Sequence, residues 1–134
     1  MNIVYKEDKD IDKQRLQELF LSVSWAAANY PEKLQKAIKG SHTVLSAWDG
    51  DNLAGLMTAL ADGAINVYFH YHLVDPEYQG MGIGKKLASM MLEKYKDYLR
   101  KILIVNENQV QYYEQSGFEL LEDKVPMIVT TKNK

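Results

Sequence analysis

VDPEYQGMGIGKK, residues 74–86, places glycine at 80, 82 and 84 and follows it with two lysines. Glycine so dense is costly inside regular structure, because its unrestrained backbone loses the most entropy on ordering. The stretch lies between a β-branched, aromatic segment and one with helical spacing, so it reads as a strand-to-helix turn. The first turn of a helix offers free N–H groups and a partial positive charge, which suits an anion. Bare glycine backbone lets a phosphate touch those N–H groups, and Lys85 and Lys86 add charge at the rim. The physical reading is a phosphate cradle. The bland alternative is a tight turn that holds nothing.

Upstream, AINVYFHYHLV (64–74) has the composition of a long strand. Downstream, Leu87, Ala88, Met91, Tyr95 and Tyr98 mark one face of a helix reaching about residue 98, and KILIV (101–105) reads as a short buried strand. Strand, helix and strand make a β-α-β unit, which predicts parallel pairing and a right-handed crossover. HTVLSAW (42–48) and NLAGLMTALA (52–61) read as strands joined by Asp49-Gly50-Asp51, with a second tight turn at Asp62-Gly63. NIVYKE (2–7) is a weakly alternating first strand. Ile11, Leu16, Leu19, Phe20 and Val23 space a helix over 10–23, with Asp10 or Asp12 as its cap. WAAANYP (25–31) breaks that pattern, and Pro31 opens a second helix that stops at Gly40. Residues 107–116 look helical and end at Gly117, while 118–121 and 125–130 read as closing strands. The order predicts an α/β fold: a mixed sheet of about seven strands carrying four helices, in a single domain over 1–134.

The 134 residues are 46% hydrophobic and 25% charged, the profile of a globular domain with a real core. A formal net charge of -2 supplies no overall basic field for nucleic acid or a membrane surface. The chain has no cysteine, which excludes disulfides, thiolate zinc sites and a cysteine nucleophile and agrees with a reducing compartment. MNIVYKEDKDIDK is too charged for a secretory signal, and no apolar run approaches the ~20 residues of a membrane helix. The expectation is a cytoplasmic protein without nucleic-acid, membrane or metal partners.

Two nucleotide motifs fail on the glycine stretch. A Walker A loop needs G-x-x-x-x-G-K-[ST], but counting back from Gly84-Lys85 puts Gln79 at the first glycine and Lys86 at the Ser/Thr position. The dinucleotide fingerprint needs G-x-G-x-x-G, whereas Gly80, Gly82 and Gly84 give G-x-G-x-G, and the strand before them is the fourth in the chain. VDPEYQGMGIG instead resembles the Q/R-x-x-G-x-G/A acetyl-CoA motif of the GCN5-related N-acetyltransferases (GNAT), with Gln79, Gly82 and Gly84 at the diagnostic positions. A second segment, NENQVQYYEQSGF (106–118), is similar to the family's N-x-x-A-x-x-F-Y-x-x-x-G-F. There Asn106, Tyr112, Tyr113, Gly117 and Phe118 match, and Gln109 stands where alanine is usual. The motifs begin 27 residues apart, Gln79 to Asn106, with a helix and a strand between, and the element order follows the family along nearly the whole chain.

The resemblance implies an acetyl-CoA-dependent N-acetyltransferase acting on a primary amine of a small molecule or peptide. The absence of Cys and of a G-x-S-x-G elbow agrees with direct transfer, without a covalent enzyme intermediate. It implies that the strands ending at Val74 and beginning at Lys101 splay, so that pantetheine pairs with backbone at Leu73 and Val74 like an added strand. The diphosphate then lies on Gln79, Gly80, Met81, Gly82, Ile83, Gly84 and Lys85, with Asn106 and Tyr113 as further contacts. Transfer to an amine needs a lost proton, a polarised thioester carbonyl and a donor for the departing thiolate. Tyr113 matches the family's general acid. A backbone N–H near Leu73–Val74 is the candidate polariser. His70 matches the base position of the arylalkylamine N-acetyltransferases. It shares a face with Tyr68, His72 and Val74 if strand alternation is unbroken, while a bulge near Leu73 exchanges the faces in favour of His72, and a water chain is the third option. Trp25 and Tyr30 fall in the loop that lines the acceptor site in the family. A non-catalytic acyl-CoA sensor on the same fold is the alternative, and a homodimer is compatible with the resemblance.

Overall fold

The computed structural model describes residues 2–131. They fall into two compact units, one running up to Leu103 and the other beginning at Ile104. The first unit contains β1 (Ile3–Glu7), α1 (Lys13–Ser22), α2 (Pro31–Lys39), β2 (Thr43–Asp49), β3 (Asn52–Ala61), β4 (Asn66–Val74), α3 (Ile83–Lys94) and β5 (Arg100–Leu103). Its sheet has the order β1-β2-β3-β4-β5. The first four strands are antiparallel neighbours, and β5 pairs parallel to β4, as the β-α-β reading predicts. The fold is α/β, with five strands among the described residues rather than about seven.

Local chemistry sets the boundaries. Asp12 is the cap of α1, its carboxylate accepting from Arg15 N at 3.2 Å. Pro31 takes the first position of α2 and Gly40 its C-cap. Asp62 Oδ1 accepts from the N–H of Ala64 (2.8 Å) and Ile65 (2.7 Å), so residues 64 and 65 belong to a turn and β4 starts later than the composition suggests. The helix predicted to about residue 98 ends at Lys94, because Tyr95 caps it and turns its buried ring to hydrogen-bond Thr43 and His42.

Successive residues of a strand face opposite sides of the sheet, and β3 shows what lies on each. Leu56 packs into a buried cluster with Leu16, Leu19 and Phe20 of α1 and Leu34 and Ile38 of α2. Its neighbour Gly55 faces α3. A Cβ there would lie 3.0 Å from Ile83 Cγ2 and 3.4 Å from Leu87 Cδ1, so glycine lets α3 seat directly on the sheet. Each fully buried Leu, Ile or Phe contributes about 1.5–3 kcal/mol, so these two layers supply most of the hydrophobic stabilisation.

The second unit is built differently from the expectation. The helix read over 107–116 divides into a 3-10 turn, Glu107–Gln109, and a single turn of helix, α4 (Val110–Glu114). Gly117 ends the segment at φ +98°, as expected of its type. The closing strands read over 118–121 and 125–130 carry no ladder. Val125, Met127 and Val129 are 80%, 92% and 100% exposed, and strand propensity acts only through packing on a partner surface.

Candidate functional site

The glycine segment is pinned at its base and open at its rim. Tyr78, buried, donates its hydroxyl to Asp49 Oδ2 at 2.7 Å, and Asp75 N donates to Ala54 O at 2.9 Å. Ile83 is buried against the sheet, while Gly80, Met81, Gly82 and Lys85 are exposed. Gly80 and Gly82 adopt φ of +84° and +82°, a region that side chains rarely enter, and the space a Cβ would occupy holds no protein atom within 4 Å. Gly82 is the N-cap of α3, and the first intrahelical bond runs from Lys86 N to Gly82 O at 3.0 Å. The N–H groups of Ile83, Gly84 and Lys85 therefore head the helix without intrahelical acceptors. Bare backbone, leading N–H groups and open space are what a diphosphate requires.

This rim adjoins an open strand edge. The β4–β5 ladder ends at Phe69 opposite Leu103, while β4 runs on to Val74. The Asp75–Ala54 bond makes that pair a hydrogen-bonded one, so Val74, opposite Gly55, belongs to the next, non-hydrogen-bonded pair. Its N–H and C=O point away from β3, to the side on which β5 has ended. Leu73 has the reverse orientation and its side chain is buried in the α1–α2 cluster. The carbonyl of Val74 accepts from Gln79 Nε2 at 3.2 Å, which ties the glycine loop to the strand edge. Of the backbone N–H groups at Leu73 and Val74, only that of Val74 points away from β3.

Alternation along β4 is broken, but at His70 rather than near Leu73. Thr58 pairs with Tyr71 and Leu60 with Tyr68, so β4 carries an extra residue between them. Thr58 sits opposite Val44, a member of the α1–α2 cluster, and its hydroxyl lies 3.2 Å from Nδ1 and 3.3 Å from Nε2 of His70. Tyr71 packs on the same cluster. His70 and Tyr71, consecutive in sequence, therefore share the α1–α2 face. His72 falls on the other face, where its Nε2–H donates to Gly84 O at 2.9 Å. Burial holds the His70 pKa down at about 4, and it lowers that of His72, against the opposing effect of the bond to Gly84. His70 is neutral at pH 7 and binds its proton later than in the unfolded chain, whose histidines titrate near 6.5. Its stabilising contribution is complete above pH ~6.5 and is lost as pH falls toward about 4. The urea midpoint of the protein is therefore expected to drop between pH 7 and pH 5, and to drop less in His70→Gln; parallel curves would contradict the buried, neutral imidazole.

Trp25 and Tyr30 flank the short turn Ala26–Asn29 between α1 and α2 and are 38% and 41% exposed. Trp25 stacks on Tyr71 (centroids 6.2 Å apart) and edge-on against Phe20 (5.8 Å), so it reaches the strand that carries His70. Tyr30 caps α2 through its backbone and takes no part in these ring contacts. In the second unit, Asn106 N donates to Gln109 Oε1 at 3.2 Å, the capping arrangement expected of that pair. Tyr113 is buried, with Tyr112 (5.0 Å) and Phe118 (6.0 Å) edge-on to its ring. Burial, and then Tyr112, push its phenol up to about 12, so it keeps its proton at neutral pH. Thr58, Tyr71 and Gly55 were not singled out from sequence. Gly55 alone offered a signal, being a glycine inside an otherwise apolar strand.

A family model described as an acetyltransferase (GNAT) domain matches residues 7–127. An uncharacterized N-acetyltransferase of the ycf52-like type from Prochlorococcus marinus is 27% identical over 123 residues, spanning 87% of this chain and 68% of its own. The histone acetyltransferase TAP1 of Glycine max is 30% identical over 130 residues, and the match spans 87% of this chain but only 56% of the plant protein. Among solved structures, the GNAT family acetyltransferase SP0256 from Streptococcus pneumoniae TIGR4 superposes with a TM-score of 0.85 at 29% identity, covering 98% of this chain and 100% of that one. No helix among the described residues is long and apolar enough to cross a membrane.

Proposed function

The chain belongs to the GNAT acetyltransferase family, and from that premise we propose that it moves an acetyl group from acetyl-CoA directly to the nitrogen of an amine. The observation that carries this reading is the open loop of Gly80 and Gly82 at the head of α3, tied through Gln79 to Val74, in the stretch of β4 beyond its ladder with β5. When bound, acetyl-CoA supplies a thioester whose acetyl carbon accepts the amine and whose sulfur departs. The leading N–H groups of α3 hold the diphosphate, and Lys85 adds charge beside them. The edge of β4 pairs with the pantetheine amides, and the N–H of Val74 donates to the carbonyl that is attacked. Asn106 and Tyr113 take the contacts that their motif implies. The family match runs through both compact units, which supports reading them as one transferase domain.

His70 has a narrower part than that of a base for an ammonium. An alkylammonium near pKa 10.4 is about 6 units above this imidazole, a gap of about 9 kcal/mol. The amine therefore arrives neutral or gives its first proton to water. His70 accepts a hydrogen bond from the neutral amine and orients its lone pair toward the acetyl carbon. It takes the remaining proton once the forming C–N bond has made the nitrogen acidic. A panel of primary amines with a thiol-release readout tests the reading. At least one amine is expected to release coenzyme A stoichiometrically with its own acetylation; stabilisation by coenzyme A with no turnover on any amine would replace this reading with that of an acyl-CoA sensor.

A further inference from the structure

We propose that His72 is a positioning residue for coenzyme A, whose imidazole fixes the head of α3 to β4 and strengthens a backbone donor that meets the diphosphate. This rests on the transferase reading above, in which His72 has no part. The bulge at His70 turns His72 to the α3 face of the sheet. There it lies opposite Met57, which is wholly buried and shares its face of β3 with Gly55, where Ile83 and Leu87 of α3 make their contact. Its bond to Gly84 O, at 2.9 Å, reaches the second residue of the helix. The acceptor is a carbonyl, so the imidazole proton sits on Nε2.

Two side chains bracket the glycine loop. At its start Gln79 Nε2 donates to Val74 O at 3.2 Å, and at its end His72 holds Gly84 O. One bond reaches from the loop to the strand, the other from the strand to the loop. Between them Gly80 and Gly82 have no side chain to lock them in place. Glycine backbone loses the most entropy on ordering, so a loop already held at both ends gives up less when a ligand orders it. Ile83 and Leu87 are buried and keep α3 against the sheet, but apolar packing is non-directional. The hydrogen bond is directional, and it sets where along β4 the helix begins.

The bond also acts through the peptide group that receives it. Gly84 C=O and Lys85 N–H belong to one peptide group, and Lys85 N–H is among the donors that head α3, since the first intrahelical bond comes from Lys86 N. Donation to the carbonyl polarises that group, and hydrogen bonds in a chain strengthen one another. The chain runs from His72 Nε2–H through Gly84 O to Lys85 N–H and ends where the diphosphate lies. A carbonyl oxygen has two lone pairs, so Gly84 O takes this bond beside the intrahelical one. An apolar ring would fill the same place without the cost of desolvating an imidazole; the bond is what histidine adds.

Calorimetric titration of the wild type, His72→Phe and His72→Gln with coenzyme A tests this without turnover. Phenylalanine keeps the ring and loses the donor, whereas glutamine offers an amide N–H at a similar reach. The dissociation constant is expected to rise about tenfold in His72→Phe and to return most of the way in His72→Gln. The free His72→Phe protein should melt as the wild type does. With any amine that the panel shows to be acetylated, acetyl-CoA is compared with S-acetylpantetheine, which has no diphosphate. The ratio of their kcat/KM values should fall about tenfold in His72→Phe. An unchanged dissociation constant, a loss that only tracks a lower melting temperature, a loss that glutamine does not restore, or an equal fall with both donors overturns the proposal. Turnover by the wild type alongside any of these spares the transferase reading. Coenzyme A binding that depends on His72 without acetylation of any amine does the opposite, and a wild type that binds no coenzyme A overturns both.

Discussion

Replacing Tyr113 with phenylalanine is expected to lower kcat about a hundredfold while leaving coenzyme A affinity nearly unchanged. The role comes from the second family motif, and the environment of the residue says how it would act. With its pKa pushed up to about 12, the phenol is protonated throughout the working range. Full transfer of that proton to a thiolate of ordinary pKa near 8.5 is uphill by about 3.5 units, or about 5 kcal/mol. On the proposed reading, Tyr113 would act by donating a hydrogen bond to sulfur as charge develops there, not by full proton transfer. Such bonds to charged groups are worth about 1.5–3 kcal/mol, which spans the hundredfold loss. Because charge on sulfur exists only in the transition state, the loss should fall on kcat and kcat/KM alike and not on ground-state binding. Steady-state kinetics together with coenzyme A titration separate the two. Unchanged turnover in Tyr113→Phe would remove the residue from the chemistry.

What sequence could show here followed from how local each determinant is. β3 was legible to the residue, Asn52–Ala61, because Asp49-Gly50-Asp51 and Asp62-Gly63 bracket it with turns that need no tertiary partner. The parallel β4–β5 pair was legible because a helix-length connection permits it. The bulge at His70 was not, since NVYFHYHLV is apolar or aromatic at nearly every position and a slipped face leaves no trace in the pattern. The left-handed Ser24, at φ +59°, was hidden for a related reason: nothing in the residue type announces the conformation, which the end of α1 adopts where Ser24 N bonds Leu21 O and Trp25 N bonds Phe20 O. The closing strands were misread because Val125, Ile128 and Val129 have the right propensity but stay exposed and join no ladder among the described residues. The glycine loop was the clearest part of the candidate site, as Gly80 and Gly82 take left-handed backbone that other residues rarely enter. The ring contacts of Trp25 with Tyr71 and of Tyr71 with His70 join segments distant in sequence, and only the folded structure brings them together.

Gly82→Val is expected to abolish the thermal stabilisation that coenzyme A confers. At 100 times its dissociation constant a ligand adds about 2.7 kcal/mol to stability, a shift of several degrees that is simple to measure. Two effects of the substitution must be told apart. Valine at φ +82° is strained, which costs the free protein about 1–2 kcal/mol whatever the loop binds. It also fills space that holds no protein atom within 4 Å, so it meets no clash until a ligand arrives. Gly63 provides the control, since it too is left-handed, at φ +87°, with nothing within 4 Å, but lies in the turn between β3 and β4. Gly63→Val should lower the melting temperature of the free protein by a similar amount and keep the full coenzyme A shift. Gly82→Asn completes the comparison, because asparagine tolerates the left-handed region and still projects a side chain into the cradle. It should melt close to the wild type and lose the shift. If Gly82→Asn keeps the whole shift, the space above residue 82 is not where the diphosphate lies, and the loss in Gly82→Val would have come from strain.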